Sequence, residues 1–318
     1  MQYKKFYLRK SFFLLKGIVS LKKVMRRFFS TTKRILSAGA ELHSSHPGFH
    51  DLVYRKRREE IVDIAINYKP GTLIPRVSYT EEETKVWQDV YIHLLSVFRK
   101  HACKEYNEGI RKLHHFGLFN SYQVPQLQSL SDFLQQTSGF KLQPIPGLLH
   151  PRYFFAALSD RIFPCTQYIR HHSKPFYTPE PDLLHECLGH VPLLSNESFA
   201  EVSQLFGTAS IHATDEELEQ LARLYWFTIE FGLCKEQGTP KIFGAGILSS
   251  VEESLHAVSD ESKRQSIDVP TIMKRSYPMT TLQQNYFIGE SFDEVLHILK
   301  SILHNKKRFF HLCNEIST

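Results

Sequence analysis

Long apolar runs and paired cysteines are both missing from this sequence. Its 318 residues include five cysteines, Cys103, Cys165, Cys187, Cys234 and Cys313, and no two of them form a Cys-x-x-Cys. That excludes a disulfide framework and a zinc ribbon, and it makes a reducing cytoplasm the expected compartment. The apolar stretch at residues 11–21 is interrupted by Lys16 and falls short of the roughly 20 residues that a spanning helix needs. It also lacks the small-residue site of a cleaved signal. No segment repeats, no tract is of low complexity, and no Gly/Ser linker divides residues 40–318. One domain over 37–318 is expected.

Acid is absent from the first 40 residues, which carry eleven of the 39 Lys and Arg. The rest holds 28 basic residues against 33 acidic ones, so the formal charge of +6 describes an arm and not the body. A nucleic-acid footprint over the whole protein is thereby excluded, and no nucleic-acid partner is expected. Residues 1–36 read as a basic arm, disordered or lying upstream of a true start at Met25. A membrane-surface helix is the lesser reading.

What the sequence does have is helical periodicity. Helices are expected over 51–67, 79–103, 124–137, 181–189, 195–207, 215–234 and 292–305, with short strands over 163–169 and 241–247. The fold class is mostly α with small β elements.

Three segments carry chemistry. The first is Pro181-Asp-Leu-Leu-His185-Glu186-Cys-Leu-Gly189-His190. It misses the zinc-protease His-Glu-x-x-His by one residue, since Gly189 occupies the second histidine position. Five residues apart on an ideal α-helix, His185 and His190 would point roughly 140° from each other. Gly189 is therefore expected to end the helix and let His190 turn back towards a shared ion, with Glu186 in the pocket but off the metal. In the second segment, Thr214 and Glu217 form a capping box, and Glu230 is the lone charge of an apolar run. A carboxylate buried there needs a cation, either a metal or a structural Arg. Two histidines and one carboxylate would leave three positions of an octahedral iron(II) open for oxygen and substrate. The third segment brings Arg170, whose fork of donors suits a substrate carboxylate, just ahead of the histidines; a surface Arg is the plainer reading. Gly244 and Gly246 have the wrong spacing for a phosphate loop and are expected to allow close packing.

Cys165-Thr-Gln-Tyr-Ile-Arg170 and His185-Glu-x-x-Gly-His190-Val-Pro, with Ile74-Pro-Arg-Val and His101-Ala-Cys-Lys-Glu-Tyr, resemble the catalytic domain of the pterin-dependent aromatic amino acid hydroxylases. The likeness runs from Ala38-Gly-Ala-Glu-Leu to Glu290-Ser-Phe. It implies a helical basket around a non-haem Fe(2+), with tetrahydrobiopterin or a related reduced pterin, O2 and an aromatic amino acid as reactants. It implies His185, His190 and Glu230 as iron ligands, and Arg170, Thr178, Trp226 and Ser249 around the amino acid. It implies Gly147, Leu149, Phe154, Glu186 and Tyr225 around the pterin.

The chain departs from that pattern in two ways, and two further residues bear on the substrate. Animal members carry an N-terminal regulatory domain and a C-terminal tetramerisation helix that this sequence does not match, so a monomer or weak dimer is expected. Pro151 stands where many relatives have a polar residue. Trp226 weighs against an indole substrate, and Met279 falls where tyrosine hydroxylases carry an acid, so phenylalanine is the expected substrate, with tyrosine and tryptophan slower. The rival readings are a zinc-dependent hydrolase using Glu186 as base and a non-catalytic membrane-associated binding protein.

Overall fold

Local sequence signals set the long helices. In the computed structural model, which describes residues 42–278 and 281–304, Asp51 caps α1 (Leu52–Asn67) by accepting from the backbone N–H groups of Val53 and Tyr54. Helix α2 (Glu81–His101) opens on a capping box between Thr80 and Glu83. Acids fill its first turn and Arg99, Lys100 and His101 its last, matching the helix dipole at both ends. Its apolar face buries Trp87, Tyr91, Leu94 and Phe98. Helices α3 (Lys104–His115) and α4 (Leu127–Thr137) continue the layer. The basic arm, Met279 and the stretch after 304 lie outside the described residues.

Strand β1 (Lys141–Pro144) pairs in parallel with β2 (Ile162–Cys165) across α5 (Pro151–Ser159). After β2 the chain is irregular until it turns helical at Leu183, then passes through a π-helical turn, π1 (His185–His190), into α6 (Val191–Leu194) and α7 (Glu197–Ser210). Helix α8 (Asp215–Tyr225) starts at the expected box of Thr214 and Glu217 and runs into a second π turn, π2 (Trp226–Glu230).

The expected helix over 215–234 therefore ends early, because Gly232 begins β3 (Gly232–Glu236). A Cβ at Gly232 would lie 2.2 Å from both the Phe243 ring and the Thr228 carbonyl, so only glycine allows the chain to bend there. Strand β3 pairs antiparallel with β4 (Thr239–Ile242) and in parallel with β6 (Asn285–Gly289), whose other edge is β5 (Lys263–Ser266). The expected strand at 241–247 is shorter than read, since 245–248 form the single turn α9 (Ala245–Leu248). Helices α10 (Val251–Val258), α11 (Val269–Lys274) and α12 (Phe292–His304) complete the fold. A large apolar cluster runs from Ile74 to Leu303, and a smaller one gathers Ile61 and Val62 of α1 with Val77 and Tyr168. The expected mostly helical class with small strands is what the chain adopts.

Candidate active site

Both metal-type segments sit on π turns, and this is how residues five apart meet. In π1 the Val191 N–H bonds the Glu186 carbonyl, an i→i+5 bond, and in π2 the Phe231 N–H bonds the Trp226 carbonyl at 2.8 Å. Five residues then make little more than one turn, which brings His185 and His190 to the same side. The expected helix end at Gly189 is thus replaced by a widened turn that continues into α6. Gly189 has another role: a Cβ on it would stand 2.7 Å from the Ala245 carbonyl, so its absence seats π1 against α9. Gly244 does the same for π2, where a Cβ would meet the Glu230 carbonyl at 2.5 Å. Close packing is what these glycines permit, as expected for 244 and 246.

The two turns bring three donors together. His185 Nε2 and His190 Nε2 are 3.0 Å apart, His190 Nε2 lies 3.2 Å from Glu230 Oε1, and His185 Nε2 lies 3.7 Å from Glu230 Oε2. Donors bound to one ion through bonds of about 2.1 Å would be separated by about 3.0–3.4 Å, so this spacing suits a shared cation. No Lys or Arg pairs with Glu230 among the described residues, so the structural Arg is not found there and the two histidines are its partners.

Electrostatics agree. Burial drives His185 down to about 4 despite Glu230, so its imidazole is neutral. Burial acts to raise Glu230, but His190 and the Gly246 N–H outweigh it and hold the carboxyl below its usual range. Burial also works against His190, yet Glu230 lifts its pKa. The arrangement is a neutral imidazole and a carboxylate beside a second imidazole whose charged form the carboxylate favours. Two nitrogens and one oxygen on one side fit a 2-His-1-carboxylate iron(II) site.

Ser249, at the end of α9, sets the histidine. Its Oγ is 2.9 Å from His185 Nδ1 and donates to the Gly246 carbonyl at 3.3 Å, so Nδ1 carries the proton and Nε2 is left free. Glu186 is buried within 4.8 Å of donor atoms on both histidines. Burial pushes it up to about 7 against the pull of His190 and of Thr166, whose N–H and Oγ1 both reach Glu186 Oε1 at 3.2 and 3.3 Å.

Arg170 is buried, not on the surface. Its Nε and Nη2 form a two-pronged pair with Asp182 at 2.9 and 2.7 Å. Asp182 also accepts from the backbone N–H of His185 at 3.1 Å, tying Arg170 to the first residue of π1. The fork expected to meet a substrate carboxylate is thus partly committed within the protein. Thr178 Oγ1 donates to the Glu180 carbonyl at 2.9 Å and is partly exposed. Trp226 stacks on Tyr277 with centroids 4.3 Å apart and donates from Nε1 to Gln283 Oε1 at 3.2 Å.

The remaining expected residues stand to one side of the histidines. Phe154, on α5, meets Tyr225 edge-on at 5.4 Å and Phe163 at 5.7 Å, and Phe163 lies 4.7 Å from the His190 ring. Gly147 is buried and Leu149 half-buried in the loop that leads into α5. Sequence reasoning missed Asp182, Thr166 and Gln283. Asp182, an acid in the segment that follows Arg170, is the one signal that could have hinted at the pair.

The chain resembles known proteins over most of its length. The family model described as biopterin-dependent aromatic amino acid hydroxylase matches residues 21–318. Phenylalanine-4-hydroxylase of Bos taurus is 49% identical over 261 residues, 82% of this chain and 58% of the relative. The Caenorhabditis elegans phenylalanine-4-hydroxylase is 48% identical over 268 residues, 84% of this chain and 59% of the relative. The chain thus spans less than two thirds of these curated relatives. Among solved structures, the apo cold-active phenylalanine hydroxylase of Colwellia psychrerythraea 34H superposes with a TM-score of 0.71 at 31% identity, covering 79% of this chain and 93% of that one. Phenylalanine hydroxylase of Chromobacterium violaceum with bound iron(III) and 7,8-dihydrobiopterin gives 0.65 at 34% identity, covering 71% and 82%. By sequence along nearly its whole length and by fold, the chain belongs to the biopterin-dependent aromatic amino acid hydroxylase family.

Proposed function

We propose that this chain hydroxylates the ring of an aromatic amino acid, phenylalanine to tyrosine first among them, using O2 and a reduced pterin at an iron(II) held by His185, His190 and Glu230. The observation that carries the reading is the convergence of those three side chains from two π turns, with no Lys or Arg paired to Glu230 among the described residues. When bound, the iron and tetrahydrobiopterin would supply oxygen activation and the electrons for it.

The protein's own part is positioning and proton control. Ser249 holds His185 in the tautomer that offers Nε2 outward. Phe154 and Tyr225 form an aromatic corner on which a pterin ring would lie, beside Gly147 and Leu149. Glu186, with a pKa about 7, holds or releases a proton at its carboxyl and would meet a pterin N–H. Arg170 would share Nη1, now 3.5 Å from the Pro175 carbonyl, with a substrate carboxylate while Asp182 fixes the other edge of its fork, and Thr178 and the Trp226 face complete that side. The apolar shell around the site keeps water from competing reactions.

Glu186 acting as the base of a zinc hydrolase gains no support from the family match. No helix among the described residues is long and apolar enough to cross a membrane. The test is to give iron-loaded protein phenylalanine, tyrosine and tryptophan with tetrahydrobiopterin and to identify products by mass spectrometry. Tyrosine from phenylalanine is expected as the fastest product, and a higher kcat/KM for tryptophan would overturn the substrate assignment.

A further inference from the structure

A second group of metal-type side chains lies outside the site just described. Asp51, His171 and His172 each offer a donor atom, and these atoms all lie within 4.8 Å of one another. Asp51 Oδ2 stands 3.2 Å from His171 Nε2, and His172 Nδ1 stands 3.0 Å from Glu82 Oε2. The four residues come from separate places in the chain: the cap of α1, the first turn of α2, and the segment just after Arg170.

We propose that Asp51, His171, His172 and Glu82 form a second metal site, for a zinc-class divalent cation, at the surface junction of α1, α2 and the segment following Arg170. Two imidazoles and two carboxylates are the ligand types such an ion takes. The pair of carboxylates neutralises its two charges. The 3.2 Å edge between Asp51 Oδ2 and His171 Nε2 is close to the about 3.4 Å expected between ligands of a tetrahedral ion with bonds of about 2.1 Å.

Each donor has a role compatible with binding. Asp51 caps α1 through Oδ1 alone, accepting from Val53 and Tyr54 at 2.9 Å, which leaves Oδ2 for the ion. His171 is buried, held edge-on by the Tyr54 ring at 4.8 Å, with Nδ1 at 2.7 Å from Ser173 Oγ. Nδ1 also accepts from the Ser173 backbone N–H at 3.3 Å, so the ring proton sits on Nε2 and faces Asp51 Oδ2, the place a cation between them would take. His172 and Glu82 are exposed, so they can swing in without disturbing the core. Neither group takes part in the iron site, and the proposal does not rest on the proposed reaction.

The test uses the full-length, iron-loaded protein and zinc alone. Zinc is added in slight excess, the protein is separated from free metal, and both elements are counted per chain. The parent should keep its iron and retain one zinc. His172→Ala and Asp51→Asn should keep the iron and lose zinc affinity at least tenfold in calorimetric titration. Asparagine also caps helices well, so Asp51→Asn preserves the start of α1, and unchanged circular dichroism would verify this. Zinc that enters only by displacing iron, or zinc retained equally by both variants, would overturn the site.

Discussion

Ser249 Oγ stands 2.9 Å from His185 Nδ1, and its own proton goes to the Gly246 carbonyl. A hydroxyl at the end of α9 therefore decides which nitrogen of a histidine on π1 faces the cation. Removing such an outer partner of a metal-binding histidine commonly costs about 10–100-fold in metal affinity or activity. Ser249→Ala should therefore weaken iron binding by about that factor while leaving the fold unchanged, as competition with a chelator would measure. A raised KM for the amino acid with unaltered iron affinity would instead make Ser249 a substrate contact.

Asp182 is wholly buried and joined to Arg170 by three hydrogen bonds, two from the guanidinium and one from the backbone N–H, with a fourth from the His185 backbone. Asp182→Ala leaves a buried guanidinium without its partner, which costs about 3–5 kcal/mol when a buried pair is broken. Urea unfolding should show that loss, and the surviving folded protein should have a raised KM for the amino acid. A change below about 1 kcal/mol, the range of exposed pairs, would mean that solvent already shares the site.

Gly189→Ala would place a methyl group 2.7 Å from the Ala245 carbonyl, a backbone atom that cannot swing aside. Overpacking of this kind costs about 1–3 kcal/mol, and here it would push π1 away from α9 and Ser249. Thermal unfolding should fall by several degrees and iron content should drop with it. Unchanged iron content in the variant would show that the turn does not depend on this seat.

Acid should loosen the segment that carries Thr178. Burial acts to raise the pKa of Glu180, but His46 at 3.2 Å and the buried Arg58 at 2.7 Å outweigh it and hold the carboxyl below its ordinary value. A carboxylate whose folded pKa is depressed stabilises the fold above its unfolded pKa, about 4.3 for Glu. That contribution is lost as pH falls through the lower folded value. Stability measured from pH 6 down to 3 should decline, and Glu180→Gln should flatten part of that slope. Parallel curves for the two proteins would contradict the assignment.

How much of this was legible in the sequence differs from residue to residue. The caps at Thr80 and Thr214 and the helices they begin follow from local hydrogen bonding, and so did the three metal-type residues, which are the oddities of their segments. The π turns were not legible, because an i→i+5 turn has the same composition as an α turn and only the meeting of His185 with His190 betrays it. Helix α5, which carries Phe154, was missed because its nine residues are short and show no clear periodicity. The Arg170–Asp182 pair and the Asp51–His171–His172 group depend on long-range packing that no local pattern encodes.

The Trp226 ring, fixed by Tyr277 and Gln283, forms one wall of the proposed substrate side. Trp226→Phe should shift the ratio of kcat/KM values towards tryptophan over phenylalanine, by up to the 10–200-fold scale, about 1–3 kcal/mol, that apolar pockets command. Competition between the two amino acids, read by mass spectrometry, checks it. A ratio that stays put would remove Trp226 from the pocket wall.

The most direct measurement of the central claim is iron per chain, with tyrosine formation, in the parent and in His185→Ala, His190→Ala and Glu230→Ala. One iron and steady hydroxylation in the parent, with iron and activity lost together in all three otherwise folded variants, is the predicted result. Full iron and full activity in any one of them would contradict the shared site.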